Sequence, residues 1–188
     1  MFRFLPMLFL LFAAALLMGP VPSAHAQSVV PFADSSRIWV DGTSSRSDWT
    51  VYAPVWSANL TAGDGVPAGI SLTVDVAAME SRKSTIMDRL MHRTFNVASH
   101  PEITFTSSDM ARLAPDSLLV TGDLTMAGQT QRVDVRVHAD SSAATYVVWS
   151  GRAAVKMTDY GMTPPTAMFG ALHTADDVTV QFRLFTER

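Results

Sequence analysis

The run from Leu118 to Val137, LLVTGDLTMAGQTQRVDVRV, constrains the fold more than any other stretch of the chain. Leu118, Val120, Leu124 and Met126 alternate with Leu119, Thr121, Asp123 and Thr125. After the turn Ala127-Gly128-Gln129-Thr130 the alternation resumes, with Val133, Val135 and Val137 set between Arg132, Asp134, Arg136 and His138. Successive side chains of a strand leave opposite faces of its sheet. A period of two therefore gives each strand one apolar and one polar face. Two such strands joined by a short turn containing Gly form an antiparallel hairpin.

Most of the chain repeats this design. Arg37–Thr43 reads as a first strand and Trp49–Leu60 as a second, bent or bulged at Pro54, which cannot donate to a ladder. Thr61–Gly69, with three Gly and one Pro, reads as a loop. Ile70, Leu72, Val74 and Val76 mark a third strand, and Ile103 and Phe105 begin a fourth. The Leu118–Val137 hairpin supplies strands five and six. Tyr146–Met157 is a seventh, Asp159–Thr174 a loop, and Val178, Val180, Phe182 and Leu184 mark an eighth. One segment changes period. Ile86, Met87, Leu90 and Met91 recur at helical spacing, with Arg82, Lys83, Asp88, Arg89, His92 and Arg93 on the other side and Thr85 with Asp88 as a capping box. The expected fold is all-β: an eight-stranded antiparallel lipocalin-like barrel with one short amphipathic helix between strands three and four. Eight strands suffice to close a barrel that is filled by side chains or holds one small ligand. Closure also removes the exposed edges of a long sheet.

Alternation does not say whether the apolar face points inward. An outer-membrane barrel of this size would turn it outward toward lipid. Three features favour the inward reading. The chain carries only four Trp and three Tyr, too few for aromatic girdles. The amphipathic helix needs an apolar surface to cover. The chain ends in Thr186-Glu187-Arg188 rather than in an apolar strand end.

Residues 1–26 read as a signal peptide. Arg3 precedes an apolar stretch, Leu5–Met18, and Ala24-His25-Ala26 is a small-residue cleavage site. The stretch falls short of the roughly 20 residues a membrane span needs. Removing the first 26 of 188 residues leaves 162, enough for one domain with a core of its own. Gln27–Ser36 is a Pro-containing leading segment, poorly ordered at its start, and 37–188 the barrel domain. Loss of Arg3 takes the formal net charge from −3 to −4, without the basic excess nucleic acid would require. The chain has no Cys, so it depends on its core rather than on disulfides. The bacterial periplasm is the expected location, and secretion the second choice.

The segments IWVDGTSSRSDW, SLTVDVAAMESRKSTIMDRLMHRTFNVASHPEITF, LLVTGDLTMAGQTQRVDVRV and KMTDYGMTPPTAMFGALHTADDVTVQFRL, in this order, resemble the YceI-like lipid- and polyisoprenoid-binding family. The resemblance spans about Arg37 to Leu184. It departs at the hairpin tip, where relatives carry His and this chain has Ala127. It implies a barrel with an amphipathic helix closing one end. It also implies an elongated apolar cavity for a polyisoprenoid or fatty-acid-like chain, in a non-enzymatic periplasmic protein.

Such a ligand would be held by apolar burial, at about 25 cal/mol per Å² removed from water. Flexible Met side chains suit an adaptable wall. The expected apolar lining is Met87, Met91, Phe95, Phe105, Met126, Trp149, Met157, Met162, Met168 and Phe169. Each of these would equally serve as ordinary core. Arg82, Arg89 and Arg93, with Lys83 beside them, are head-group candidates, and equally the solvated face of a helix. No metal site is expected, because His92, His100, His138 and His173 lack ligand spacing. No catalytic motif is present either: a Gly-x-Ser-x-Gly elbow and a phosphate loop are both missing. The expected partners are an apolar lipid ligand and, for self-association, a homodimer; nucleic acid and a membrane span in the mature chain are not expected. A closed-core accessory protein of a membrane redox or stress system is the alternative. N-terminal sequencing of the protein released by osmotic shock is expected to begin at Gln27. A chain retained with Met1, or released only by detergent, would contradict the cleavage.

Overall fold

Among the described residues the strands and the α-helix are β1 (Ser28–Val30), β2 (Arg37–Ser44), β3 (Trp49–Tyr52), β4 (Trp56–Gly63), β5 (Val66–Asp75), α1 (Thr85–Phe95), β6 (Glu102–Ala114), β7 (Ser117–Met126), β8 (Gln129–Asp140), β9 (Tyr146–Lys156), β10 (Thr166–Ala167) and β11 (Leu172–Glu187). This computed structural model describes residues 28–63, 66–140 and 145–187. The signal segment, its cleavage site and Gln27 lie outside the described residues. All pairings of the named strands are antiparallel, in the order β1-β4-β5-β6-β7-β8-β9-β11-β2-β3, with β10 paired to β11 at the side.

Ten strands on this path stand where eight were expected. The difference has two sources. The expected second strand is split at Pro54 into β3 and β4, and β1 is added from the leading segment. The split is how the curled sheet meets itself. The Ala53 N–H donates to the Ile38 carbonyl on the β2 side (3.0 Å), while the Val55 carbonyl accepts from the Asp75 N–H on the β5 side (3.0 Å). One continuous stretch thus changes partners across a residue with no N–H to leave unpaired.

The leading segment is ordered rather than irregular. Val29 pairs with Thr61 of β4, and Phe32 bridges to Thr186 of β11. It covers two strand edges that would otherwise present unpaired backbone groups. The expected loop 61–69 is also largely strand, since β4 runs to Gly63 and β5 starts at Val66. Pro67 is tolerated there because the β5 pairing with β6 begins only at Ser71 and the β4 register slips at Thr61/Ala62.

The apolar face points inward. Leu118, Val120, Leu124 and Met126 of β7 are buried, and so is Val137 of β8. The outward side chains of β8, Arg132, Asp134, Arg136 and His138, are exposed. Charges on that face are the reverse of a lipid-facing barrel. Polar ties run along it: Thr121 Oγ1 donates to Asp134 Oδ1 (2.6 Å), and Asp41 accepts from Trp39, Thr50 and Gln181.

Helix α1 interrupts the sheet where the hydrophobic period changes. Its cap is Ser84, whose side chain accepts from the Ile86 N–H (3.3 Å), not Thr85 as expected. Asp88 reaches past the helix start to accept from the Ser81 N–H (2.7 Å). The helix therefore begins one residue earlier than the capping-box reading, and Ile86 turns to solvent at 62 % exposure. Met91 and Phe95 pack on the core formed by Ile38, Val51, Ala53, Val74, Val76, Met79 and Leu184.

The β7–β8 turn is tighter than the four residues expected. Met126 pairs with Gln129, leaving Ala127 and Gly128 at its tip with φ of +46° and +78°. Positive φ at both central residues matches the strand twist and favours Gly at each. Ala127→Gly is therefore expected to raise stability by about 0.5–1 kcal/mol in a urea titration. Gly128→Ala, whose new methyl would meet the His100 ring at 2.5 Å, is expected to lower it. Equal effects of the two substitutions would contradict this turn geometry.

Candidate ligand cavity

Among the described residues three glycines stand at inward positions of the sheet: Gly42, against the Trp49 ring beside the plug, and Gly122 and Gly151 on strands of the cavity wall. The β7 sequence runs Val120, Gly122, Leu124 along its inner face, and β9 runs Trp149, Gly151, Ala153. A methyl on Gly122 would lie 2.6 Å from the Phe105 ring and 2.5 Å from the Thr106 carbonyl oxygen. A methyl on Gly151 would lie 2.5 Å from the Phe182 ring. Each aromatic ring thus lies against bare backbone of the neighbouring strand. Where a strand of the wall lacks a side chain, the ring is held close to that wall, and the centre of the barrel is left open.

Among the described residues nineteen wall the void, none with a charged or hydroxyl side chain. They include Phe32, Leu72, Phe105, Met110, Trp149 and Phe182, with Val133, Val135 and Val137 of β8. The space open to the centre of a water molecule is about 140 Å³, and the whole space between atoms, including part open to solvent, is about 1000 Å³. Close-packed interiors leave few voids larger than one water. An apolar void of this size gives water no hydrogen-bonding partners and favours hydrocarbon. Trp149 turns its only polar atom out of the void, its Nε1–H donating to Thr186 Oγ1 (2.9 Å).

The cavity occupies one half of the barrel. It reaches toward the end of the barrel where β6 passes into β7. The other half is filled. There Leu124, Met126, Val155, Met157, Tyr160, Met162 and Val178 form a buried cluster against which Phe95, Phe105 and Val133 pack. A short 3₁₀ turn, Thr158–Tyr160, carries the plug inward. Asp176 holds that turn, its carboxylate accepting from Thr158 Oγ1 (2.6 Å) and from the Thr158 N–H (2.9 Å). These hydrogen bonds hold the Asp176 carboxyl below its ordinary value.

The expected lining residues divide between these halves. Phe105 and Trp149 line the cavity. Met126, Met157 and Met162 are buried in the plug, and Phe95 packs on it. Met87 and Met91 sit half-buried on α1, away from the wall. Phe169 is fully exposed in a left-handed conformation (φ 56°). The side chain of Met168 lies outside the described residues. Sequence reasoning ranked the Met residues first because of their flexibility. The wall is instead mostly β-branched and aromatic, because strands rather than connections form it. Ile38, Leu60, Ile70 and Val120 were legible as inward positions but indistinguishable from core.

The basic residues stand apart from the void. Arg82 pairs with Glu80 (2.9 Å) and stacks on Tyr52 (4.3 Å). Arg89 donates to the Thr85 carbonyl (3.3 Å). Arg89 and Arg93 rim a shallow dish on the outside of α1 with His92, Asn96 and Val97. That dish shares no residue with the cavity, and α1 lies at the plugged end. Among the described residues no group of three or more His, Asp or Glu is placed to hold a metal ion, and no helix is long and apolar enough to cross a membrane.

A curled antiparallel barrel with an apolar lumen and one plugged end defines a lipocalin-like class. Within it, the chain belongs to the YceI-like domain family, whose model matches residues 24–185. The crystal structure of BcnA from Burkholderia cenocepacia is similar, with a TM-score of 0.70 at 20 % identity, covering 82 % of this chain and 99 % of that one. A domain from Saccharophagus degradans, described as polyisoprenoid-binding and implicated in plant cell wall breakdown, has a TM-score of 0.63 at 18 % identity, covering 85 % and 97 %. The YceI protein of Campylobacter jejuni has a TM-score of 0.63 at 16 % identity, covering 73 % and 84 %. No curated protein matches the chain.

Gly122→Ala is expected to cost about 1–3 kcal/mol of stability by forcing the Phe105 ring and the Thr106 backbone to move. Gly63→Ala, with nothing within 4 Å of the added carbon, serves as the control. Urea melts of the two variants check the difference, and equal midpoints would refute the close packing of that ring.

Proposed function

We propose that this protein is a non-enzymatic carrier that holds a long apolar molecule, a polyisoprenoid or a fatty-acid-like lipid, in its barrel. The reading rests on one observation: an open lumen whose nineteen wall residues, among those described, are hydrophobic. Enclosing a hydrocarbon there removes apolar surface from water on both sides, at about 25 cal/mol per Å². Such a wall offers neither nucleophile nor general base, so binding without chemical conversion is the activity it fits. The family membership and the polyisoprenoid-binding relative support the same ligand class. We place the protein in the periplasm on its signal-like N-terminus; a chain without cysteine is at home there.

The wall gives shape and apolarity but little discrimination among hydrocarbon tails. Extracts of the purified protein, examined by mass spectrometry, are therefore expected to contain a reproducible apolar molecule. Ala153 faces the lumen, and Ala153→Trp is expected to fill it. This variant should keep its thermal midpoint and bind a fluorescent fatty-acid probe roughly tenfold or more weakly. Undiminished probe binding by a folded Ala153→Trp protein would defeat the carrier reading.

A further inference from the structure

Tyr160 has a hydroxyl that the fold does not use. The residue is 2 % exposed, and its Oη is the only buried side-chain nitrogen or oxygen without a hydrogen-bond partner among the described residues. Burial and the nearby Asp159 both push its ionisation up, so the group stays a neutral O–H donor. A buried donor left unpaired loses its hydrogen bonds to water and gains none in return. A phenylalanine would fill the same space without that cost.

The surroundings explain what the hydroxyl could meet. Tyr160 sits in the plug with Met126, Met157 and Met162. Methionine is the most adaptable of the apolar side chains. The plug and the cavity share a wall: Leu124 belongs to both, and Phe105, Val133 and Val180 line the void while packing on the plug. A ligand longer than the present void would press first on these residues and then on the methionines behind them.

From this juxtaposition we propose that the plugged half is an extension of the cavity, in which the Tyr160 hydroxyl binds a neutral oxygen at the leading end of the ligand. An alcohol or a carbonyl oxygen accepts from the phenol. The side chains packed around Tyr160 in the plug are hydrophobic, so a carboxylate or phosphate pressed among them would be buried against apolar groups. The charged class is excluded from this end on that ground, and the ligand enters neutral end first. The proposal rests on the carrier reading above and adds to it a polar anchor and a direction.

The test compares cetyl alcohol and methyl palmitate with n-hexadecane and palmitate, each titrated into the protein and into Tyr160→Phe. The alcohol and the ester are expected to bind about five- to tenfold more tightly than the alkane, one net hydrogen bond's worth. Tyr160→Phe is expected to erase that preference, leave the alkane unchanged and melt at an equal or higher temperature. Preference for palmitate over the alcohol, or the same alcohol preference in Tyr160→Phe, would overturn the anchor. So would a lower melting temperature of the variant, because the hydroxyl would then already have a partner. Alkane binding with no alcohol preference refutes the anchor alone; no binding by any of the probes refutes the carrier reading as well.

Discussion

Burial of an apolar face inside a sheet curled on itself is the constraint on which the rest depends. Each strand presents alternate side chains inward, and a closed curve gives those side chains one shared interior. The chain reaches closure through Pro54, where hydrogen bonding passes from β2 to β5 without an orphaned N–H. It is completed by the leading segment, which ties β4 to β11 through Val29 and Phe32. Without that closure the same face would be exposed to water along its whole length.

Closure leaves open how the interior is filled, and the two halves answer differently. At one end the connections are long. The β5–β6 connection sends Met91 and Phe95 inward, and the β9–β11 connection sends Met157, Tyr160 and Met162. At the other end β6 passes to β7 through Pro115 and Asp116, and neither enters a core cluster. There Gly122 and Gly151 hold two aromatic rings against the wall.

This arrangement bears on function through energetics rather than through specific contacts. A wall without polar groups binds hydrocarbon by area, and discriminates poorly among tails of similar girth. Orientation must come from elsewhere. The helix cations are engaged with Glu80, Tyr52 and the Thr85 carbonyl, or face solvent outside the barrel. Among the described residues the Tyr160 hydroxyl is the buried side-chain polar atom without a partner, and it belongs to the plug that shares Leu124 with the lumen wall.

Alternation alone determined most of the strands, which side chains share a face and the antiparallel hairpins, because period two is a local property that tertiary packing preserves. Val178, Val180, Phe182 and Leu184 face inward as their spacing requires. The change of period at Ile86–Met91 likewise marked the helix. What only the tertiary structure decided is which inward residues meet a void and which meet a plug. Phe105 and Met126 are equivalent on a strand pattern, yet one lines the cavity and the other is packed beneath it. That distinction depends on side chains brought in from connections far away in sequence, and on rings folded over distant glycines, neither of which leaves a local periodicity to read.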